Sequence, residues 1–295
     1  MSYPAPKVVL ELLKPITWFA PMWAFLCGLV SINASLLERW PLVIGGTLLA
    51  GPLVCGTSQA VNDWFDRHVD AINEPDRPIP SGRMPGRWGL YIACIFTLLS
   101  MLVAWALGPA VFVAALFGLA LAWAYSAPPF RLKTNGWWGN SAVGLCYEGL
   151  PWFTGAAVMS AAFPDQHVVM TALLYSIGAH GIMTLNDFKS VEGDIKLGVA
   201  SLPVQLGVDY AARLACAVMA APQVVVILLL MSWGKPIHAS IIAGLLAAQS
   251  ALMVRLIAAP RERAAWYNAT GTSLYVLGMM AAAFALRSLG GGFAP

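Results

Sequence analysis

Residues 62–70 read Asn-Asp-Trp-Phe-Asp-Arg-His-Val-Asp and follow a long apolar stretch of the chain. Residues 186–194 read Asn-Asp-Phe-Lys-Ser-Val-Glu-Gly-Asp and follow another. Carboxylates at the end of apolar segments are costly to bury, so they indicate a functional site. Two such segments predict a divalent metal site at one face of a membrane, where an anionic substrate such as a diphosphate would bind.

The composition predicts an all-α integral membrane protein. Of the 295 residues, 59% are hydrophobic and 11% are charged, whereas soluble domains carry roughly 25% charged residues. A helix that crosses a bilayer needs about 20 apolar residues, and such stretches predict a single domain over residues 1–295 with about nine transmembrane helices. The predicted spans lie near residues 16–37, 41–61, 88–107, 110–127, 140–160, 166–185, 211–232, 238–257 and 270–288.

The basic residues predict the orientation of these helices. With a cytoplasmic N-terminus and nine spans, all of the 17 Lys and Arg residues except Arg39, Lys235 and Arg287 fall on the cytoplasmic side. This distribution follows the positive-inside rule and places both acid-rich segments at the cytoplasmic face. The net charge of +3 reflects the same topology and does not indicate a nucleic-acid partner.

The acids of both segments have the spacing of one helical face. Asp63, Asp66 and Asp70 stand at i, i+3 and i+7, and the second segment repeats this spacing with Asp187 and Asp194. Carboxylates on one face repel, and Mg²⁺ relieves the repulsion while bridging one or two of them to substrate phosphates. A solvated acidic loop is the alternative for either segment alone, but two segments that both open with Asn-Asp favour a metal site.

Basic residues lie in the same predicted loops as the acids. The positive-inside bias explains much of this for each residue alone, but together with the acids they predict a site for a metal–diphosphate complex. Arg binds phosphate oxygens by bidentate hydrogen bonds, and Lys acts as a point charge. The residues are Arg67, Arg77, Arg83, Arg131, Lys133 and Lys189.

Three further stretches, with the acidic segments, carry a resemblance to a known family. Residues 77–82 read Arg-Pro-Ile-Pro-Ser-Gly, residues 125–133 read Tyr-Ser-Ala-Pro-Pro-Phe-Arg-Leu-Lys, and residues 201–204 read Ser-Leu-Pro-Val. In order and spacing the set resembles the UbiA superfamily of intramembrane prenyltransferases over nearly the whole chain. The resemblance implies a UbiA-type helical bundle that transfers a prenyl group from its diphosphate with Mg²⁺ as cofactor.

Within that superfamily the motifs are similar to those of the chlorophyll synthases. The similar motifs are Asp-Ala-Ile-Asn-Glu-Pro at 70–75, Leu-Pro-Trp at 150–152 and the second acidic segment. This resemblance implies that geranylgeranyl or phytyl diphosphate esterifies the propionate of chlorophyllide a or bacteriochlorophyllide a, with release of diphosphate. It also implies a place in (bacterio)chlorophyll biosynthesis and in the bacterial inner membrane. Ser190 departs from the many superfamily members that have an acid there, so it is not predicted as a ligand.

The resemblance also implies roles for individual residues. The implied catalytic residues are Asp66, Asp70, Asp187, Asp194, Arg77 and Lys133. The implied Mg²⁺ ligands, direct or through water, are Asn62, Asp63, Asp66, Asp70, Asp187, Glu192 and Asp194. The implied diphosphate ligands are Arg67, Arg77, Arg83, Tyr125, Arg131, Lys133 and Lys189.

Two further polar residues have open roles. His180 lies seven residues before Asp187, on the same helical face and deeper in the span. It is an interior histidine, a group that lines the acceptor cleft, or a ligand of the chlorin magnesium. Glu148 is the acid predicted at membrane depth, where it either makes a structural hydrogen bond or contacts substrate.

Other functions predict other patterns. A superfamily member acting on a quinone precursor or on haem is the nearest alternative. The residues at 73–75 and 188–190, which resemble those of the chlorophyll synthases, argue against it. A transporter would place acids deep within several spans, whereas most of the 14 acids fall on the predicted cytoplasmic side. Aspartate-rich phosphatidyltransferases also use Mg²⁺ at a membrane face, but their Asp-Gly motif is absent.

Overall fold

The computed structural model describes residues 3–289 and is a bundle of helices, which confirms the predicted all-α membrane architecture. The first two and last six residues of the predicted domain lie outside this range. Among the described residues, β-structure is limited to an isolated bridge between Asn135 and Ala200.

The helices follow one another through short connections. The α-helices are α1 Pro6–Leu13, α2 Phe19–Val30, α3 Trp40–Leu48, α4 Gly56–Asn73, α5 Trp88–Leu107, α6 Pro109–Ser126, α7 Gly136–Gly144, α8 Leu150–Ser160, α9 Gln166–Asn186, α10 Val191–Leu197, α11 Leu202–Leu206, α12 Val208–Ser232, α13 Pro236–Ala258 and α14 Pro260–Arg287. Two π-helical turns, Leu49–Cys55 and Leu145–Gly149, join α3 to α4 and α7 to α8, so that each pair runs without a break. Short 3₁₀ turns occupy Pro15–Thr17, Leu132–Thr134 and Asp187–Lys189.

The number of membrane spans differs from the prediction. Between residues 3 and 289, seven helices are long and apolar enough to cross a membrane, and the pair α1–α2, bent by 58°, makes an eighth if it counts as one span. The predicted count of nine is therefore not confirmed. The difference lies at 140–160, where α7, a π turn and α8 form a continuous helix that is not among the seven and that carries Asn140 and Glu148.

Glycine lets α2 and α8 pack backbone to backbone. A Cβ on Gly28 would collide with the carbonyl oxygen of Trp152, and one on Gly155 would collide with the carbonyl oxygen of Phe25. Small residues permit such close approach of membrane helices, where dispersion replaces the hydrophobic effect as the driving force. The Trp152 indole N–H donates to Ser31 Oγ at 2.9 Å, which fixes the rotation of the two helices.

Helix α9 stands in the middle of the bundle and carries the second acidic segment at its C-terminal end. Gly144 on α7 lies against the Ser176 carbonyl, and Gly178 lies against the ring of Tyr275 on α14. The Tyr275 hydroxyl donates to the carbonyl of Tyr175 at 2.5 Å. These contacts hold α9 between α7 and α14 and so determine where Asp187 stands.

The connection between α6 and α7 is joined to the connection that follows the second acidic segment. The Gly136 N–H donates to the Ala200 carbonyl and the Ala200 N–H donates to the Thr134 carbonyl, both at 2.8 Å. The Asn135 side chain accepts from the Trp137 N–H at 3.0 Å and caps α7. Lys133 is thereby fixed beside the segment that contains Asp194.

The α2–α8 contact yields the first prediction. Gly28→Ala places a methyl group against backbone atoms that cannot move aside, and we expect it to lower the free energy of unfolding by about 1–3 kcal/mol. Gly244→Ala is the matched control, because a Cβ at Gly244 meets nothing within 4 Å and alanine favours helix over glycine by about 1 kcal/mol. Thermal unfolding in detergent should show a lower Tm for the first variant alone. Equal Tm values would contradict the close approach.

Candidate active site

The first acidic segment forms the last turns of α4. The Asn62 amide donates to Asp66 Oδ2 at 3.1 Å and to Ser126 Oγ, at the end of α6, at 3.2 Å. Asp66 accepts both hydrogen bonds of its ion pair with Lys133 and lies 3.8 Å from Arg131. The end of α4 is therefore tied to α6 and to the loop that follows it.

Asp70 and its neighbours bind the proline-rich loop after α4. Arg77 Nη1 donates to Asp70 Oδ2 at 2.9 Å, and Arg77 Nε donates to Glu74 at 2.6 Å. Glu74, Asp70 and Asp63 together raise the pKa of the Arg77 guanidinium despite its partial burial. This loop folds back over the carboxylates, as a cover for a bound anion would.

Asp63 is fully buried and holds two cations. Lys14 Nζ donates to Asp63 Oδ1 at 2.7 Å, and Arg77 Nη1 donates to the same oxygen at 3.3 Å. The side chain of Asp63 is 1% exposed, compared with 19% for Asp66. Asp63 is thus the least accessible acid of the first segment, and its role as a metal ligand stays a prediction.

Lys14 is a site residue that the sequence analysis missed. It stands at the C-terminal end of α1 with a left-handed backbone, between the buried Leu12 and Leu13 and Pro15. In the sequence, Lys14 is a lone lysine between apolar residues and a proline. The positive-inside rule accounts for such a lysine without any role at the site. Only the folded chain brings it to Asp63, from 49 residues away.

Two of the predicted diphosphate ligands point elsewhere in this structure. Arg67 donates to the Trp64 carbonyl at 2.7 Å and lies over the Trp64 ring at 4.3 Å. Arg83 donates to both oxygens of Glu11 on α1, at 2.6 and 2.7 Å, and this contact raises the pKa of Arg83. Both arginines are thus engaged away from the carboxylates of α4, and their roles as diphosphate ligands stay predictions.

Asp187 and Asp194 of the second acidic segment have polar partners but no ion pair among the described residues. Asp187 accepts from the Asn140 amide at 3.2 Å, and Asp194 accepts from Ser190 at 3.1 Å and from Ser201 at 2.7 Å. Throughout the described part of the chain, neither carboxylate forms an ion pair, in contrast to the three acids of the first segment. The charges of Asp187 and Asp194 are therefore balanced by no direct ion pair, and Lys189 acts on Asp187 only at longer range.

The remaining predicted ligands of this region are Glu192 and Lys189. Both side chains are exposed, Glu192 on α10 and Lys189 at the end of the 3₁₀ turn. Neither forms an ion pair in residues 3–289. His180 is buried beside the Trp137 ring, with 5.8 Å between ring centroids, and is not part of the cavity wall described below.

Tyr125 connects the two acidic segments. Its side chain, at the end of α6, lies within electrostatic range of Asp66, Asp187 and Asp194. Lys133 is paired with Asp66. Burial lowers the pKa of its ammonium group, and the Asp66 carboxylate opposes that shift. The structure therefore brings Tyr125 near Asp66, Asp187 and Asp194, with Lys133 paired to Asp66; their roles at the site stay predictions.

A cavity of about 650 Å³ opens below these groups, between α4, α6, α9, α14 and both π turns. Asn62, Tyr125 and Asn186 line the end of the cavity next to the acids. Apolar side chains form most of the remaining wall, and Glu148 stands among them. This volume lies within the roughly 300–1,000 Å³ range of small-molecule sites.

The carboxylates fit a metal that binds together with its substrate. In residues 3–289 no three His, Cys, Asp or Glu side chains are grouped so that they could hold a metal ion by themselves. Mg²⁺ commonly uses one or two protein carboxylates and completes its shell with water and phosphate oxygens. Asp187 and Asp194 supply this donor set, because they repel each other and form no ion pair among the described residues, with Lys189 acting on Asp187 only at longer range.

Comparison with known proteins agrees with this geometry. A model of the UbiA prenyltransferase family matches residues 21–275. The chain is 63% identical to the bacteriochlorophyll synthase 33 kDa chain of Cereibacter sphaeroides, over 98% of this chain and 95% of that protein. It is 57% identical to the protein of the same name from Rhodobacter capsulatus, over 97% of this chain and 95% of that one.

A solved structure shares the fold. The UbiA homolog from Archaeoglobus fulgidus bound to GPP and Mg²⁺ has a TM-score of 0.72 against this chain. The match covers 95% of this chain and 99% of that one at 20% sequence identity. At that identity the likeness concerns the arrangement of the helices.

The Lys14–Asp63 ion pair yields the second prediction. Lys14→Met leaves the buried Asp63 carboxylate with one cation fewer, and we expect it to lower the free energy of unfolding by about 3 kcal/mol. Lys7→Met is the control, because Lys7 is exposed on the same helix and a surface change there costs less than about 0.5 kcal/mol.

Denaturant unfolding in detergent measures both variants. Adding Asp63→Asn to Lys14→Met should recover part of the loss, because the uncompensated charge is removed. If Lys14→Met and Lys7→Met have the same stability, the pair does not hold α1 to the bundle.

Proposed function

The chain belongs to the UbiA prenyltransferase family, and we propose that its site joins a C20 prenyl diphosphate to the propionate of (bacterio)chlorophyllide a. The chain is a polyprenyltransferase of (bacterio)chlorophyll biosynthesis, and we propose geranylgeranyl or phytyl diphosphate as its donor. One observation supports the chemistry above all. Two carboxylate segments meet around Tyr125 and Lys133 at the mouth of an apolar cavity.

The diphosphate of the donor binds at the cations of the mouth. Lys133 and Arg77 are already held there by Asp66 and Asp70, so they are oriented before the substrate arrives. Arg131 lies 3.8 Å from Asp66 and adds a further charge. Preoriented cations stabilise negative charge that develops on a leaving group without reorganising in the transition state.

The residues of both segments support Mg²⁺ as the cofactor. Asp187 and Asp194, with Asp66 opposite, would hold the ion against the diphosphate oxygens. When bound, Mg²⁺ neutralises charge on the departing diphosphate as a Lewis acid.

The reaction balances without a protein base. The allylic C1–O bond breaks and its electron pair leaves with the diphosphate, while a carboxylate oxygen of the propionate forms the new C–O bond. A propionate carboxyl has a pKa near 4 and is ionised at neutral pH, so no proton has to be removed. The site correspondingly offers cations for the leaving group rather than a base and nucleophile pair.

The cavity protects the reacting carbon from water. Leu49, Val54 and Leu121 belong to its apolar wall, and the bundle around it is made of helices that can span a membrane. A prenyl chain in this wall would place C1 at the polar mouth. Exclusion of water prevents hydrolysis of a carbocation-like carbon.

We also propose that the enzyme lies in the bacterial inner membrane with its N-terminus and both acidic segments in the cytoplasm. With the continuous α7–α8 helix counted as a ninth span, the distribution of Lys and Arg supports this orientation. The cations of the mouth would then face the compartment that contains soluble prenyl diphosphates and Mg²⁺.

Esterification by isolated membranes tests the function. Membranes that contain the protein receive bacteriochlorophyllide a or chlorophyllide a, geranylgeranyl or phytyl diphosphate, and either Mg²⁺ or EDTA. We expect ester only with Mg²⁺, and a loss of at least about 100-fold in kcat for Asp66→Asn and Asp187→Asn, as for removal of a transition-state charge contact. Asp209→Asn, an exposed acid outside the site, should retain activity.

The other outcomes separate the alternatives. Prenylation of 4-hydroxybenzoate or haem, with no ester from either pigment, would keep the family and refute the acceptor. Full activity in EDTA would refute the metal. Activity that is equal in Asp187→Asn and Asp209→Asn would remove the second acidic segment from the site.

A further inference from the structure

Glu148 is a buried acid with no partner. It lies in the π turn between α7 and α8, is 5% exposed and lines the cavity. Its Oε2 has no hydrogen-bond partner, and in the described range no Lys, Arg or His pairs with it. An unpaired carboxyl in an apolar setting is costly, and π turns occur frequently at functional sites. The cavity therefore offers a polar group that a ligand would satisfy.

A second unpartnered group lines the same cavity on α14. The Thr272 hydroxyl is buried and has no hydrogen-bond partner within residues 3–289. Four residues before it, on the same helical face, Asn268 donates to Asn186 at 2.7 Å, next to Asp187. Thr272 thus lies just below the acidic mouth. Glu148 lies within electrostatic range of Tyr275, further along α14.

These two groups suit the acceptor better than the donor. Beyond its diphosphate a prenyl chain contains only carbon and hydrogen, so it would leave both groups unpaired. The rim of a chlorin carries carbonyl oxygens, which accept hydrogen bonds from a hydroxyl or a neutral carboxyl. We propose that Thr272 and Glu148 form the recognition wall for the macrocycle, with Glu148 donating a hydrogen bond to a peripheral carbonyl. This proposal rests on the proposed function.

The depth of Glu148 in the bundle indicates which carbonyl of the macrocycle rim would accept its hydrogen bond. Asn140 donates to Asp187 and marks the level of the acids. Glu148 follows eight residues later in the same continuous helix, about 12 Å further into the bundle. With the propionate at the mouth, the ketone of the fifth ring lies beside it, near Thr272. Glu148 then faces a more distant part of the rim, on a different pyrrole ring.

With ring A assigned to this position as part of the proposal, the two candidate acceptors differ there. Bacteriochlorophyllide a carries an acetyl group on ring A, where chlorophyllide a carries a vinyl group. The acetyl oxygen accepts a hydrogen bond and the vinyl group does not. A site with a polar group left unpaired discriminates strongly against the substrate that lacks the partner. Glu148 therefore acts as the residue that favours bacteriochlorophyllide a.

Steady-state esterification with both acceptors tests the proposal, at saturating geranylgeranyl diphosphate and Mg²⁺. The measured quantity is the ratio of kcat/KM for bacteriochlorophyllide a to that for chlorophyllide a. Glu148→Leu should lower this ratio about tenfold, the effect of one lost buried hydrogen bond. Glu148→Gln should keep the ratio, because the amide N–H still donates. Thr272→Val should raise KM for both acceptors alike, because both carry the ketone.

A spectroscopic measurement separates recognition from packing. Bacteriochlorophyllide a bound to the wild-type protein without donor should show its acetyl carbonyl stretch at lower frequency than in an apolar solvent. Glu148→Leu should return that band to the apolar position, while Glu148→Gln keeps the shift. Thermal unfolding of each variant in detergent identifies any that fails to fold, and the glutamine variant preserves the volume of the side chain.

Three results would overturn the proposal. An unchanged ratio and an unshifted acetyl band in the wild type would show that Glu148 does not contact the acceptor. Equal losses in the glutamine and leucine variants would assign a role to the charge rather than to hydrogen-bond donation. An equal loss for both acceptors in Glu148→Leu would indicate cavity shape. Absence of ester with either acceptor in the wild type would instead refute the proposed function.

Discussion

The site depends on the neutralisation of carboxylates at the end of a membrane helix. Asp66 is held between Asn62 and Lys133, and this ion pair joins the end of α4 to the loop that follows α6. The same requirement brings Arg77 to Asp70 and Lys14 to Asp63. Because a carboxylate without a counter-charge is costly at a membrane face, each pair also determines where a segment of chain lies. The proline-rich loop and α1 are placed by the acids that they neutralise.

The two acidic segments are electrostatically unequal. The acids of the first form ion pairs with Lys14, Arg77 and Lys133, whereas Asp187 and Asp194 accept hydrogen bonds only from amide and hydroxyl groups among the described residues. An anion that arrives with a divalent cation satisfies both sides, because the cation meets the free carboxylates and the anion meets Lys133 and its neighbours. This asymmetry explains why substrate and metal would bind as one complex. It also explains why the acids in the described range do not gather into a metal cluster on their own.

Local patterns in the sequence predicted the helical class, the two acidic segments and their meeting with Tyr125 and Lys133. Helical periodicity and membrane composition carry that information, because both act over a few turns. The sequence analysis missed Lys14, whose partner is 49 residues away, and did not predict that Arg67 and Arg83 contact Trp64 and Glu11. The partners of Lys14 and Arg83 follow from how distant segments pack, whereas Arg67 contacts Trp64 one turn away on the same helix. The predicted count of nine spans is not confirmed for a related reason, since a segment with polar residues can lie inside a bundle without being apolar along its length.

Both π turns line the cavity, and they contact each other where the Cys55 thiol donates to the Tyr147 hydroxyl at 3.5 Å. A π turn accommodates one more residue than an α turn while the helix continues on either side. A single-residue insertion or deletion there would reshape the cavity wall and leave the flanking helices, with their catalytic ends, in register. The chain thus separates the part of the fold that carries the reaction from the part that could diverge. A lineage could acquire a new acceptor by such an indel without rebuilding the chemistry.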